Sequence, residues 1–232
     1  MILNKKVDCI KCRSKAVLKS FDLNGVHIFR YVCQKCLHEF KNDDTVKAEK
    51  LLTDEKYRAI GTPQEEVEAQ KEIARKCRYG IVEIGVLFGE TGRLFCKAAP
   101  KLPMIVGIDP IIPDSMNSKL IGSEEKIKLN AGGFPNFHFI KDYSFNVVDY
   151  FFAPFDYLFI DGSHYYEDVS RDIKDWFPKL KKGGWLGLHD SAKFRGGADY
   201  WTDPSMIADE LIFDERVKHI KTVHALTIFQ KR

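Results

Sequence analysis

The sequence predicts an α/β protein: an open, mainly parallel sheet with helices on both faces, preceded by a small zinc ribbon. Three observations carry this. Short apolar runs alternate with amphipathic segments from about residue 80 onward. Two Cys-x-x-Cys pairs, Cys9/Cys12 and Cys33/Cys36, flank a stretch of twenty residues. A charged, weakly periodic segment from Lys41 to Ile60 separates the cysteine-bearing part from the alternating part. The expected organisation is a ribbon over 1–41, a charged helical linker over 42–62 and a catalytic domain over 63–232.

The ribbon follows from coordination chemistry. Each Cys-x-x-Cys turn brings two sulfurs to one side of an ion, and Zn²⁺ takes four thiolates in a tetrahedron. Between the pairs, AVLKSFDLNGVHIFRYVC reads as two strands around Asn24-Gly25, a dipeptide that favours the positive φ of a tight hairpin. Some forty residues bury too little surface to stand alone, so the metal supplies folding energy. Residues 1–41 hold nine Lys/Arg against three Asp/Glu, and the remainder holds 27 against 30. The basic charge therefore belongs to the ribbon, through Lys5, Lys6, Lys11, Arg13, Lys15, Lys19, Arg30 and Lys35. That charge leaves nucleic-acid contact open beside a structural or protein-docking role.

In the second part, Thr62 is expected to cap a helix from Pro63 to about Cys77, with Glu65 completing a capping box. Strands are expected at Gly80–Ile84, Pro103–Ile108, Phe137–Ile140, Phe155–Ile160 and Trp185–Leu188. Helices are expected at Thr91–Ala99, near Asn146 and near Val169. The last two apolar runs, His219–Val223 and Ala225–Phe229, read as a hairpin that adds one antiparallel strand. Trp176 should pack its helix on the sheet. Cys77 and Cys96 read as core cysteines. Lys181 and Lys182 read as helix-end charges.

The first strand of this part runs into Glu83-Ile-Gly85-Val86-Leu-Phe-Gly89-Glu-Thr91. Glycines at a strand-to-helix turn let a ligand approach the backbone. A dinucleotide site would show G-x-G-x-x-G. Here the first two glycines are three apart, and an acid precedes them. A carboxylate at Glu83 suits a cationic ligand, such as a sulfonium carrying an amino group, and repels a pyrophosphate. Asp109, at the end of the next strand, can accept both hydroxyls of a ribose. Asp142 and Tyr143, after the third strand, lie where an adenine would rest. Glu83, Gly85, Val86, Gly89, Thr91, Asp109, Asp142 and Tyr143 are thus the candidate cofactor residues.

The fourth and fifth strands end in Asp161-Gly-Ser-His164 and His189-Asp190-Ser191. Strand C-termini face the crevice where open α/β sheets bind ligands. Two carboxylates and a histidine, Asp161, Asp190 and His189, make a site for Mg²⁺. Such a cation lowers the pKa of a bound hydroxyl. His164, with an ordinary pKa of about 6.5, is placed to take a proton, so His164 and Asp161 are the expected catalytic pair.

From about Arg78 to Phe229 the chain resembles the class I methyltransferases related to macrocin O-methyltransferase and the cephalosporin-hydroxylase-like proteins. The most specific part is FIDGSHYYEDVSRDIKDWFPKLKKGGWLGLHDS. The resemblance implies a Rossmann-like, seven-stranded methyltransferase sheet and S-adenosylmethionine as methyl donor. It implies a divalent metal at Asp161 and Asp190, with His164 as base. Family members often carry an acid before the second metal aspartate; here that residue is His189, which opens Mn²⁺ and Zn²⁺ beside Mg²⁺.

The expected activity is O-methylation of a hydroxylated small molecule or sugar. Two other readings compete with it. In one, the ribbon delivers nucleic acid or protein to the same site. In the other, the chain is a non-enzymatic adaptor with a degenerate cofactor fold. No stretch reaches the ~20 apolar residues of a membrane helix, and MILNKKVDC lacks the apolar core of a signal peptide, so a cytoplasmic protein with no membrane partner is expected. Nothing in the sequence opposes a homo-oligomer.

Overall fold

The computed structural model describes residues 62–115, 118–192 and 203–232, together with the backbone of four strands near the N-terminus. The chain forms two compact units, Met1–Thr62 and Pro63–Arg232. Cys9, Cys12, Cys36 and the segment 41–61 lie outside the described residues.

In the first unit, β1 (Val7–Asp8), β2 (Lys15–Leu23), β3 (Val26–Cys33) and β4 (Glu39–Phe40) form an antiparallel sheet in that order. β2 and β3 pair from Ala16 opposite Cys33 to Leu23 opposite Val26. The expected turn at Asn24-Gly25 lies between these strands, outside the described residues.

The second unit begins with α1 (Gln64–Lys76), then alternates β5 (Ile81–Ile84), α2 (Glu90–Ala98), β6 (Ile105–Ile108), α3 (Glu124–Asn130) and β7 (Phe137–Ile140). It continues with α4 (Ser144–Val147), β8 (Phe155–Ile160), α5 (Tyr166–Trp176), β9 (Leu180–Leu188), α6 (Asp203–Ile212), β10 (Val217–Val223) and β11 (Leu226–Lys231). The seven strands lie in the order β10-β11-β9-β8-β5-β6-β7. β5 to β9 run parallel, and β11 enters antiparallel to both neighbours. This is a Rossmann-like, seven-stranded α/β sheet. β5 and β8 are adjacent at its centre, and the chain winds outward from them in opposite directions. That makes the crevice at their carboxyl ends a topological switch point.

Period-two alternation builds the core. Along β8, Leu158 and Ile160 face one layer with Val169, Ile173 and Trp176 from α5. Tyr157 and Phe159 face the other layer with Phe95 from α2. Trp176 is fully buried against Phe151 and Phe155, so it does pack its helix on the sheet. Cys96 is fully buried in the opposite layer, and burial pushes its thiol up to about 12.

The structure differs from the sequence reading in three places. The first helix starts at Gln64 with Pro63 as N-cap and no side-chain cap. Its first-turn acids are used elsewhere: Glu65 lies 3.2 Å from His224, and Glu66 is drawn into the interior. Lys181 and Lys182 belong to β9, not to a helix end, because the strand starts at Leu180 and turns at Gly183 with φ 78°. Lys181 caps the Tyr79 ring at 3.9 Å instead. Third, α3 and α6 were not foreseen. Ser123 accepts a hydrogen bond from the Lys126 amide and so caps α3, a signal present in Ser-Glu-Glu-Lys.

Candidate active site

Two loops meet at the switch point. After β5 the chain turns at Gly85 with φ 86°. A Cβ there would stand 2.2 Å from the Asp161 carbonyl oxygen, so only glycine lets the first loop lie against the end of β8. Gly89 repeats the positive φ at 78° and opens α2. Leu87, between them, is held at φ 50°.

Asp109 organises this loop. Its Oδ2 accepts the amides of Val86 at 2.8 Å and Leu87 at 2.9 Å, and its Oδ1 accepts that of Ile111 at 2.7 Å. The sequence reading gave Asp109 a ribose alone. The structure shows it holding three backbone amides: Oδ2 accepts two of them, and Oδ1 keeps one further lone pair.

Glu83 is 1 % exposed, and its Oε2 has no hydrogen-bond partner. Burial, then the nearby Asp161 and Asp109 charges, push its carboxyl well above the usual range. An orphaned acid behind the glycine loop fits a cationic ligand that would restore its charge and donate to its unpaired oxygen. Thr91 lies in the first turn of α2. Asp142 precedes the next short helix: its Oδ1 accepts the Tyr143 backbone amide at 2.7 Å and the Asn146 side-chain NH₂ at 2.9 Å. Tyr143 is exposed and stacks on Phe145, with ring centres 5.1 Å apart.

Asp161, His164, Asp190 and His189 come together beside this loop. The first three offer ligand atoms that all lie within 4.8 Å of one another. His164 Nε2 is 2.9 Å from Asp190 Oδ2, and His164 Nδ1 is 3.0 Å from Ser115 Oγ, which also accepts the His164 amide. Burial lowers the basicity of His164, but the hydrogen bond and charge of Asp190, with Asp161 and Asp114 behind it, hold the pKa above 6.5. Burial likewise works against the Asp190 charge, yet the two histidines hold its carboxyl well below the usual range. Asp190 itself has φ 48°, a conformation that Asp tolerates better than most residues.

His189 Nδ1 is 3.0 Å from Asp161 Oδ1 and 3.4 Å from Asp190 Oδ2, at angles that make a hydrogen bond to neither. Its Nε2 is 3.1 Å from Glu66 Oε2. Burial opposes the positive charge of His189, but Asp161, Asp190 and Glu66 hold its pKa well above 6.5. The set Asp161, Asp190 and imidazole nitrogen fits a divalent cation, because oxygen and nitrogen donors converge where a proton alone satisfies them poorly. Asp161, His164, His189 and Pro204 line one small cavity.

Two residues at this site escaped the sequence reading. Ser115 sits in the long β6–α3 connection, with no local signal. Glu66 looked like an ordinary first-turn acid, 123 residues from the histidine it reaches.

Comparison with known proteins agrees with this geometry. Residues 82–191 match a family model described as a methyltransferase domain. A curated but uncharacterized protein of Acanthamoeba polyphaga mimivirus is 31% identical over 123 residues, covering 49% of this chain. The match spans about half the length of that relative, 52%. Among solved structures, the O-methyltransferase TomG from Streptomyces achromogenes, in complex with S-adenosylmethionine, superposes with a TM-score of 0.57 at 16% identity, covering 83% of this chain and 91% of that one. The Podospora anserina methyltransferase PaMTH1, bound to S-adenosylhomocysteine, gives 0.57 at 14% identity, covering 83% and 89%. An O-methyltransferase from Bacillus cereus, also with S-adenosylhomocysteine, gives 0.57 at 12%, covering 83% and 93%. Among the described residues no helix is long and apolar enough to cross a membrane.

Proposed function

We propose that this protein is an S-adenosylmethionine-dependent methyltransferase that methylates a hydroxyl of a small molecule or sugar with the help of a divalent cation. The observation that carries the reading is the meeting, at one switch point, of the Gly85 loop backed by Glu83 and Asp109 with the cluster Asp161, His164, His189 and Asp190. The relatives described as O-methyltransferases support a hydroxyl acceptor.

When bound, S-adenosylmethionine supplies an electrophilic methyl on a sulfonium, and the cation acidifies a hydroxyl. The chain does the rest. Glu83 faces the amino end of the cofactor, and Asp109 takes a ribose hydroxyl with the remaining lone pair of Oδ1. Asp142 and Tyr143 flank the adenine. Asp161, Asp190 and His189 hold the cation. The acceptor oxygen attacks the methyl carbon as the carbon–sulfur bond breaks, and S-adenosylhomocysteine leaves. Asp190 accepts the Nε2–H of His164 and stabilises the imidazolium, so His164 takes the hydroxyl proton at Nδ1, the nitrogen beside the Ser115 hydroxyl. Alignment of the two reactants supplies much of the acceleration.

In the same reading, residues 1–41 are a ribbon in which Cys9, Cys12, Cys33 and Cys36 hold one structural zinc, joined through 42–62 to the catalytic domain.

Calorimetry of the full chain with S-adenosylhomocysteine tests the cofactor site, and micromolar binding is expected. Absence of binding rejects the methyltransferase reading. Methyl transfer to a panel of hydroxylated acceptors, with and without EDTA, tests the cation. Elemental analysis of protein purified without chelator should find one zinc per chain.

A further inference from the structure

We infer that Glu66 is a positioning residue for the cation site: it fixes His189 in the tautomer that presents Nδ1 as a metal ligand beside Asp161 and Asp190. The inference rests on the cation-assisted reading above and extends it to a residue of the first helix.

Glu66 is a wholly buried acid, 0 % exposed, in the first turn of α1. Both its oxygens are committed. Oε1 accepts the Ala225 amide at 2.6 Å, in the turn between β10 and β11. Oε2 lies 3.1 Å from His189 Nε2. With Glu66 as the acceptor, as it is for the Ala225 amide, Nε2 carries the proton. A cation that displaces the other ring proton then meets the lone pair on Nδ1. His189 is held from two further sides: its amide donates to the Ile160 carbonyl at 3.0 Å, and its ring meets the edge of Phe159 with centres 6.2 Å apart. The ring therefore cannot turn Nδ1 away from the two aspartates.

The geometry around Nδ1 is that of neighbouring ligands rather than of a hydrogen bond. Two donors at right angles on an ion with bonds of about 2.1 Å stand about 3 Å apart. Nδ1 is 3.0 Å from Asp161 Oδ1 and 3.4 Å from Asp190 Oδ2, and it donates to neither although it is buried. That buried nitrogen, at ion-pair distance from both carboxylates and aligned for a hydrogen bond with neither, is the second observation, beyond the carboxylates themselves, that points to a cation. A carboxylate behind a ligating imidazole orients the ring and strengthens it as a donor. A nitrogen donor also shifts preference from Mg²⁺ toward Mn²⁺, Co²⁺ or Zn²⁺.

Mn²⁺ is the probe, because it is paramagnetic and thiolates favour softer metals. Titration of the full chain should show tight Mn²⁺ binding, with Mg²⁺ competing only at much higher concentration. Pulsed electron paramagnetic resonance should show nitrogen coupling from one imidazole, lost in His189→Ala. Glu66→Gln keeps the volume of the buried side chain. With its oxygen on the Ala225 amide, its NH₂ faces Nε2 and demands the opposite tautomer. Mn²⁺ affinity should fall 10–100-fold, the usual cost of losing such a partner. Binding of S-adenosylhomocysteine, measured on the same sample, should stay within about twofold. It reports that the variant is folded.

Mn²⁺ affinity unchanged in Glu66→Gln overturns the inference. So does nitrogen coupling that survives in His189→Ala and disappears in His164→Ala. A wild-type chain that binds S-adenosylhomocysteine but no Mn²⁺ overturns it together with cation assistance, and leaves the methyltransferase reading standing. A chain that binds Mn²⁺ with the expected coupling but no cofactor rejects that reading and keeps the ligand assignment.

Discussion

Leu87 and Ile111, two apolar residues held at positive φ beside the crevice, donate their amides to the same carboxylate. Their φ values are 50° and 59°, and the carboxylate is that of Asp109. Each side chain in the left-handed region costs roughly 1–2 kcal/mol, most for a β-branched residue such as Ile111. Charge-assisted hydrogen bonds of about 1.5–3 kcal/mol each offset that strain. Asp109 therefore shapes the glycine loop after β5 through its own hydrogen bonds.

Asp109→Asn should fail on both counts. Asparagine offers one accepting oxygen, and its NH₂ must face a backbone donor. Urea unfolding should show a loss of about 1–3 kcal/mol. Calorimetry should show S-adenosylhomocysteine binding weakened at least about tenfold, the equivalent of 1.4 kcal/mol. Loss of affinity at unchanged stability would instead leave Asp109 as a ribose ligand alone.

Asp156 predicts the opposite pattern. Its Oδ2 accepts the amides of Arg78 at 2.7 Å, Tyr79 at 2.5 Å and Gly80 at 3.3 Å, at the amino end of β5. This is the far end of the sheet from the crevice. Asp156→Ala leaves those donors without their acceptor and should cost about 2–4 kcal/mol. Cofactor affinity in the surviving folded protein should not change. A variant as stable as wild type would refute this account of Asp156.

Asp156 also shows where sequence reasoning stops. Within FDYLFI it looks like an interruption of an apolar run, because the three amides it collects belong to a turn 76 to 78 residues away. The strands themselves were legible, since alternation such as Leu158/Ile160 against Tyr157/Phe159 is local. Asp161, His164 and Asp190 were legible too, because strand ends in an open sheet must face one crevice. Glu66 and Ser115 were not. They reach the site through tertiary contacts that leave no spacing to read. The cap at Thr62 failed for a related reason: a tertiary demand on Glu65 and Glu66 outweighed the local motif.

Asp172 gives a pH dependence with a definite sign. It is buried on α5, with Ser144 donating to its Oδ1. Burial raises its pKa from 3.8 to about 6, against the pull of Ser144. The folded protein thus holds this proton more tightly than the unfolded chain. Stability from this group is full below about pH 4, falls as pH rises toward 6, and stays reduced above. Asp172→Asn removes the buried charge and keeps an oxygen for Ser144. The variant should be more stable than wild type at pH 8, by roughly 1–3 kcal/mol, and the difference should close by pH 4. Urea midpoints at the two pH values decide it. A variant less stable at pH 8 would mean that Asp172 is ionised at little cost.

The last prediction concerns the proton. His164 is tied to Asp190 through Nε2 and to Ser115 through Nδ1, and its pKa is held above 6.5. A base must be neutral to act, so kcat/KM should rise with pH through a value above 6.5 and then level. His164→Ala should lose that limb together with about 10²–10⁴-fold in rate, while the residual activity climbs with hydroxide concentration. Ser115→Ala leaves Nδ1 unsupported and should cost roughly tenfold, with the limb retained. Asp161→Asn and Asp190→Asn should each lose cation-dependent rate. The double variant should be little worse than either, because both serve one ion and their effects do not add. Asp190→Asn should also lower the pH of the limb, since the carboxylate that stabilises the imidazolium is gone, whereas Asp161→Asn should move it less. An unchanged pH profile in His164→Ala would exclude His164 as the base.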